Sequence, residues 1–310
     1  MNRKGVTLIE LLIALTSAVI VCAAGYSLFT KEFNFSVLQT RTTQMQQDVR
    51  SGLEIMTREI RAAGFGVIEP LTGTLQPTAA TPIQPGDNVD PDPWGVTNQL
   101  DRITVTGGYY ALGTLNATPA PGATTVIVAL LPGVKFPSGL NPVAPNQPVT
   151  IEGAYYGQVV TSALAGNLLT LNLNNPMPSN RPFSTLDNVF LVQSVTYHVA
   201  VPAGGGEPVL YRNDGSGDQV IASGIEDLQI TYLMSDGSTQ NNPPAIVLPP
   251  AGVQIMSVRV ALVARAIDPN TSATTSSRPA VMNHTPPATR DRYHRRLIYK
   301  AVEVRNLGYF

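Results

Sequence analysis

The sequence predicts an α+β fold: one long N-terminal α-helix, half membrane-spanning and half amphipathic, packed on an antiparallel β-rich globular head. Three observations carry this. Residues 6–29 hold no charged side chain other than Glu10. Beyond them, apolar residues recur every three or four positions as far as Ala63, and no proline occurs before Pro70. The remaining chain is rich in Gly, Pro, Thr and Asn and breaks into short runs of alternating polarity, the pattern of half-buried antiparallel strands joined by turns.

The first element is long enough to cross a bilayer. About 20 apolar residues in a helix span the hydrocarbon core, and residues 6–29 form a predominantly apolar run of 24 residues. Arg3 and Lys4 precede them, and basic flanks stay cytoplasmic, which directs the bulk of the chain to the far side. Glu10 stands out here, because a carboxylate in hydrocarbon costs roughly 2.5 kcal/mol or more. Either it lies near the cytoplasmic headgroups and does nothing, or a function retains it. Cys22 is the single cysteine, so the chain can form no intramolecular disulfide and no cysteine-based zinc site.

The second half of the helix follows from Leu38, Met45, Val49, Leu53, Met56, Ile60 and Ala63, which share one face. Arg41, Gln47, Asp48, Arg50, Arg58 and Arg61 fall on the other, and Gly64 is the expected stop. Residues 70–98 read as a long surface connection. Strands are predicted at 102–106, 124–131, 149–152, 158–161, 168–173, 189–199, 208–211, 225–234, 253–266 and 296–304, with a polar loop at 267–292. Charge is uneven along this head. Residues 66–257 hold four basic side chains against thirteen acids, and residues 258–310 reverse this with nine against three.

Three processing readings compete for the N-terminus. A secretory signal peptide has only a weak site at Val21-Cys22-Ala23-Ala24, and a lipoprotein would need small residues before Cys22 where Val19-Ile20-Val21 stand. An uncleaved signal anchor is the plainest alternative. The third reading uses a short basic leader ending in Gly5, followed by Val6-Thr7-Leu8-Ile9-Glu10. This run, RKGVTLIELLIAL, resembles the type IV prepilin leader. The resemblance implies that a prepilin peptidase cuts between Gly5 and Val6 and N-methylates Val6. The new Val6 amine and the Glu10 carboxylate would then dock adjacent subunits. The usual residue after the cut is phenylalanine, and valine replaces it here. The implied parts are a leader (1–5), a transmembrane or filament-core helix (6–29), an amphipathic continuation (30–64) and a β-rich head (65–310).

Further blocks narrow the resemblance: MTREIRAAGFG at 56–66, LVQSVTYHV at 191–199, GIEDLQITY at 224–232, VRVALVARA at 258–266 and RRLIYKAVEVRNLG at 295–308. Together they look like a PilW-type minor pilin. That implies an assembly protein, not an enzyme. It would join other minor pilins in a complex that primes pilus assembly, caps the filament tip and presents a tip adhesin. Its partners would be the prepilin peptidase, other minor pilins, the major pilin and the inner-membrane assembly platform. The precursor would sit in the inner membrane with its head outside the cytoplasm, and the product on the cell surface. A J-type minor pseudopilin of type II secretion shares this plan, and a membrane-anchored surface module for DNA or carbohydrate is the alternative from another class.

The candidates for chemistry are few, and no cofactor, catalytic residue or metal site is predicted. Of three histidines, His198 ends a predicted strand while His284 and His294 lie in the polar C-terminal region. Asp87, Asp90 and Asp92, and separately Asp214 and Asp218, read as solvated turns, since neither set reproduces EF-hand ligand spacing. Arg290, Arg292, Arg295, Arg296, Lys300 and Arg305 form a basic segment with only Tyr293 and Tyr299 interleaved, which favours subunit contacts over nucleic acid.

Overall fold

The computed structural model describes residues 8–68, 75–76, 79–93, 99–134, 136, 143–244, 253–266, 269, 275–286 and 290–307. Helix α1 (Leu8–Ala62) is continuous over 55 residues, about 80 Å at 1.5 Å per residue. With no proline to break it, the hydroxyls of Thr16, Ser17 and Thr30 bond back to carbonyls one turn earlier and leave the ladder intact. Met45, Val49, Leu53, Met56, Ile60 and Ala63 are buried as their spacing predicts. The side chains of Leu38 and Arg41 lie outside the described residues.

Gly64 ends the helix. Its φ of +87° is the left-handed conformation that favours glycine, and its N–H donates to Thr106 O at 2.9 Å. Asn306 reaches back from the far end of the chain, donating its side-chain amide to the carbonyls of Ala62 at 3.2 Å and Ala63 at 3.3 Å. The helix's open C-terminal carbonyls are thereby satisfied within the head.

Fifteen strands follow among the described residues. The first nine are β1 (Ile83–Asp90), β2 (Leu100–Leu115), β3 (Thr125–Leu130), β4 (Pro148–Ile151), β5 (Tyr155–Ala165), β6 (Leu168–Leu173), β7 (Asn188–Ala200), β8 (Val209–Asn213) and β9 (Asp218–Ser223). They form one antiparallel sheet in the order β1-β2-β3-β6-β5-β4-β7-β8-β9, in which β2 also pairs with β7. That extra pairing closes β2-β3-β6-β5-β4-β7 into a ring around Leu112, Val128, Ile151, Leu169 and Leu191. Register shifts between Gly108 and Tyr110 and between Ala111 and Gly113 bend the long β2–β7 pair from the helix-facing sheet into the ring.

The rest comprises β10 (Ile225–Met234), β11 (Thr239–Gln240), β12 (Ile255–Arg265), β13 (Ser276–Ser277), β14 (Arg290–Asp291) and β15 (Arg295–Glu303). A second antiparallel sheet runs β11-β10-β12-β15. The C-terminal half of α1 is buried against both sheets, with Val49, Met56 and Ile60 meeting Tyr197, Leu210, Leu228, Tyr232, Val260 and Val302 in the main core.

The structure adds β9 and β11, which lie on no predicted strand, extends the predicted 158–161 strand to β5, and departs from the predicted elements in three further places. The surface connection at 70–98 contains β1, whose Pro85-Gly86-Asp87-Asn88 lacks alternation; an edge strand tolerates that proline. The predicted strand at 102–106 is part of a 16-residue strand. The polar loop at 267–292 contributes β13, β14, the buried Val281 and two buried polar side chains, Arg278 and His284.

Candidate assembly interface

The two halves of α1 have opposite surroundings. From Met45 onward the apolar side chains of its inner face are in the core, whereas Leu8, Ile20 and Phe29 are 80%, 69% and 68% exposed. None of the membrane-length apolar window is buried in the head. A helix apolar on every side needs lipid or other protein around it. Glu10 is exposed on the first described turn of α1. Gly5 and Val6, the predicted cleavage pair, and with Val6 the methylation and docking amine, lie outside the described residues.

Where α1 enters the head, one acid sits on its buried face. Glu59 falls between Met56 and Ala63, at helical spacings of three and four, so the face that buries those residues also buries it. Its carboxylate accepts a hydrogen bond from the Tyr197 hydroxyl and two more from Arg212, at 3.1 Å from Nε and 2.9 Å from Nη2. Arg212 Nη1 donates to Asp214 at 2.8 Å. Burial pulls Asp214 up, but hydrogen bonds from Ser216 and Arg212 outweigh it and hold the carboxyl below its usual range. Burial, and then the charge of Glu59, push the Tyr197 hydroxyl well above its ordinary value. The arrangement fixes the rotation of α1 against β7 and β8.

Two further clusters brace the second sheet on the face that carries Val263 and Leu297, away from α1. Arg278 donates to Asp92 at 3.0 and 2.6 Å, and the His284 ring meets Asp227 at 2.5 Å and the Gln99 side chain at 2.7 Å. Arg295 donates to Glu226 at 2.6 Å and to Asp291, while Arg265 stacks over Tyr293 at 4.2 Å. Nearby, Asp101 accepts backbone N–H bonds from Asn88 and Ile230. Burial nevertheless raises its carboxyl to about 7, with the charges of Asp87 and Asp227 adding to the rise.

These clusters correct two readings. Asp90 and Asp92 are buried ion-pair partners of Arg102 and Arg278, not members of a solvated turn. Asp214 and Asp218 do flank a glycine-rich turn, but Asp214 belongs to the Arg212 network. Of the basic segment, Arg295 is committed to Glu226 and Asp291, and Arg290, Arg292, Arg296, Lys300 and Arg305 are exposed. His198 stacks on Tyr211 with ring centroids 5.3 Å apart, and His294 is exposed. Among the described residues, no group of three or more His, Cys, Asp or Glu side chains is arranged to hold a metal ion.

Residues 196–306 match the family model of the type IV pilus-assembly protein W. That segment supplies Tyr197 and Arg212 to the Glu59 site, and Asp227, Arg265, His284 and Arg295 to the clusters on the second sheet. No curated protein sequence matches the chain. Among solved structures, a type IV-like pilin from Thermus thermophilus is similar at 13% identity with a TM-score of 0.39, covering 86% of this chain and 99% of that one. Through residues 196–306, which include the Tyr197 and Arg212 partners of Glu59, the chain is similar to the type IV pilus-assembly protein W family.

Proposed function

We propose that this chain is a minor pilin, cut after Gly5, that joins other minor pilins in a complex priming pilus assembly and located at the filament tip. Its role is structural, not catalytic. The observation that carries the reading is the division of α1: one half gripped by the head, the other apolar and exposed on all sides. Such a half-helix suits a bilayer before assembly and the helical core of a filament afterwards.

In this scheme Glu10 moves from the membrane into the filament, where the Val6 amine of a neighbouring subunit neutralises it. A buried charge is tolerated when it is paired, which gives the carboxylate a reason to persist in an apolar run. The prepilin peptidase, the major pilin, the inner-membrane assembly platform and a tip adhesin are the partners this scheme requires. Deleting the chain tests it: surface pili should fall sharply and return with the wild-type copy. Unchanged piliation, with secretion lost instead, would assign the chain to a secretion pseudopilus.

A further inference from the structure

Strand β15 is the last strand of its sheet and pairs only with β12 among the described residues. Its register is unbroken from Ser257↔Glu303 to Arg265↔Arg295. Just beyond each end, Val304 N donates to Met256 O at 3.0 Å and Ala266 N to His294 O at 2.9 Å. Antiparallel positions alternate between bonded and non-bonded pairs, so Arg296, Ile298, Lys300 and Val302 spend their backbone groups on β12. Leu297, Tyr299, Ala301 and Glu303 direct theirs to the open edge.

Both faces of this edge are hollow and basic. On the helix side a cavity of about 730 Å³ carries Arg50, Arg58, Arg61 and Lys300 against Glu54. A second cavity, of about 710 Å³, lies beside Ala301 and carries Arg61 and Arg305 against Glu303. Counting Arg61 once, five cations face two carboxylates, an excess of three. Exposed edges invite strand addition, and a strand added here would send alternate side chains into the two cavities.

We propose that the open edge of β15 receives an extended, acidic segment of a neighbouring subunit as a fifth strand of the β11-β10-β12-β15 sheet. The main chain supplies the hydrogen bonds, and the basic cavities select acidic side chains. The proposal rests on the assembly reading above.

Hydrogen exchange tests it, comparing the full-length chain alone in detergent with complexes of co-expressed pilins copurified through a tag on this chain. The amides of Leu297, Tyr299, Ala301 and Glu303 should exchange rapidly in the first and at least tenfold more slowly in the second. Ala301→Pro removes an N–H that β12 does not use, at an edge where proline is tolerated; it should abolish that protection and leave the amides of β12 unchanged. Ala301→Ser should behave as wild type.

Fast edge exchange in complexes whose residues 8–35 are protected would overturn the strand proposal alone. Unprotected residues 8–35 as well would overturn the assembly reading and the strand with it. Concentration-dependent edge protection in the isolated chain would overturn the proposal in favour of a second copy. Protection by duplex DNA alone, insensitive to Ala301→Pro, would do so in favour of phosphate contacts.

Discussion

Glu59 near the end of α1 and Arg212 on β8 stand 153 residues apart in sequence and 2.9 Å apart in the fold. Tyr197 completes the carboxylate's partners. Together these contacts hold α1 on the head, so the orientation of its exposed half depends on this junction.

Removing one partner should be costly. Glu59→Leu leaves Arg212 and the Tyr197 hydroxyl in a largely buried site, and breaking such pairs costs about 3–5 kcal/mol. Denaturant unfolding of the detergent-solubilised chain should register that loss. Glu59→Leu combined with Arg212→Met should recover much of it, because apolar replacement of both partners is close to neutral. A single variant within about 0.5 kcal/mol of wild type, the range for ordinary surface changes, would contradict the clamp.

Stability should fall as pH rises from about 4 to about 7. Asp101, raised to about 7 in the fold by burial, is protonated in both states below its ordinary value near 3.8, and its contribution is then fully present. Between the two values the unfolded carboxyl ionises while the folded one holds its proton, which withdraws stability on the order of 4 kcal/mol. Asp101→Asn should flatten this slope relative to wild type in pH-dependent unfolding. Parallel slopes would show that Asp101 is not its source.

Gly66→Ala should destabilise the head. An added Cβ would lie 2.4 Å from Thr150 Cγ2 at a φ of +78°, combining a clash with a conformation that costs about 1–3 kcal/mol outside glycine. A drop of at least that size in unfolding free energy is expected. Thr150→Ala should relieve only part of the clash, because the Cβ at position 150, 2.6 Å away, remains, and it leaves the backbone cost.

Glu10→Leu should leave processing intact and cut incorporation several-fold, read as the ratio of chain in sheared filaments to chain in membranes. Equal ratios for variant and wild type would remove the Val6–Glu10 pairing. Replacing Gly5 by a bulky residue should block processing itself, seen as retention of the full-length precursor on gels.

How much of this was legible follows from how local each signal is. The buried face of α1 and its stop at Gly64 can be read from spacings within single turns, and the alternating runs that became β6, β7, β10 and β12 need only neighbouring residues. Glu59 carried a local signal that was missed: its spacings from Met56 and Ala63 place it on the buried face. Strand β1 has no alternation and exists because β2 offers it an edge. Arg278 and His284 look like loop residues until Asp92 and Asp227, 186 and 57 positions away, are brought against them. The closed ring depends on β2 pairing with both β3 and β7, which no single stretch of sequence encodes. The proposed assembly site was the reverse case, since Gly5, Val6 and Glu10 carry their pattern within six residues.

N-terminal peptide mass spectrometry of sheared surface filaments tests the central claim most directly. The account predicts a peptide that begins at Val6, with or without one methyl group. Filaments lacking it, with the chain found only as the intact Met1 form in membranes, would contradict the account and leave a membrane-anchored surface module in its place.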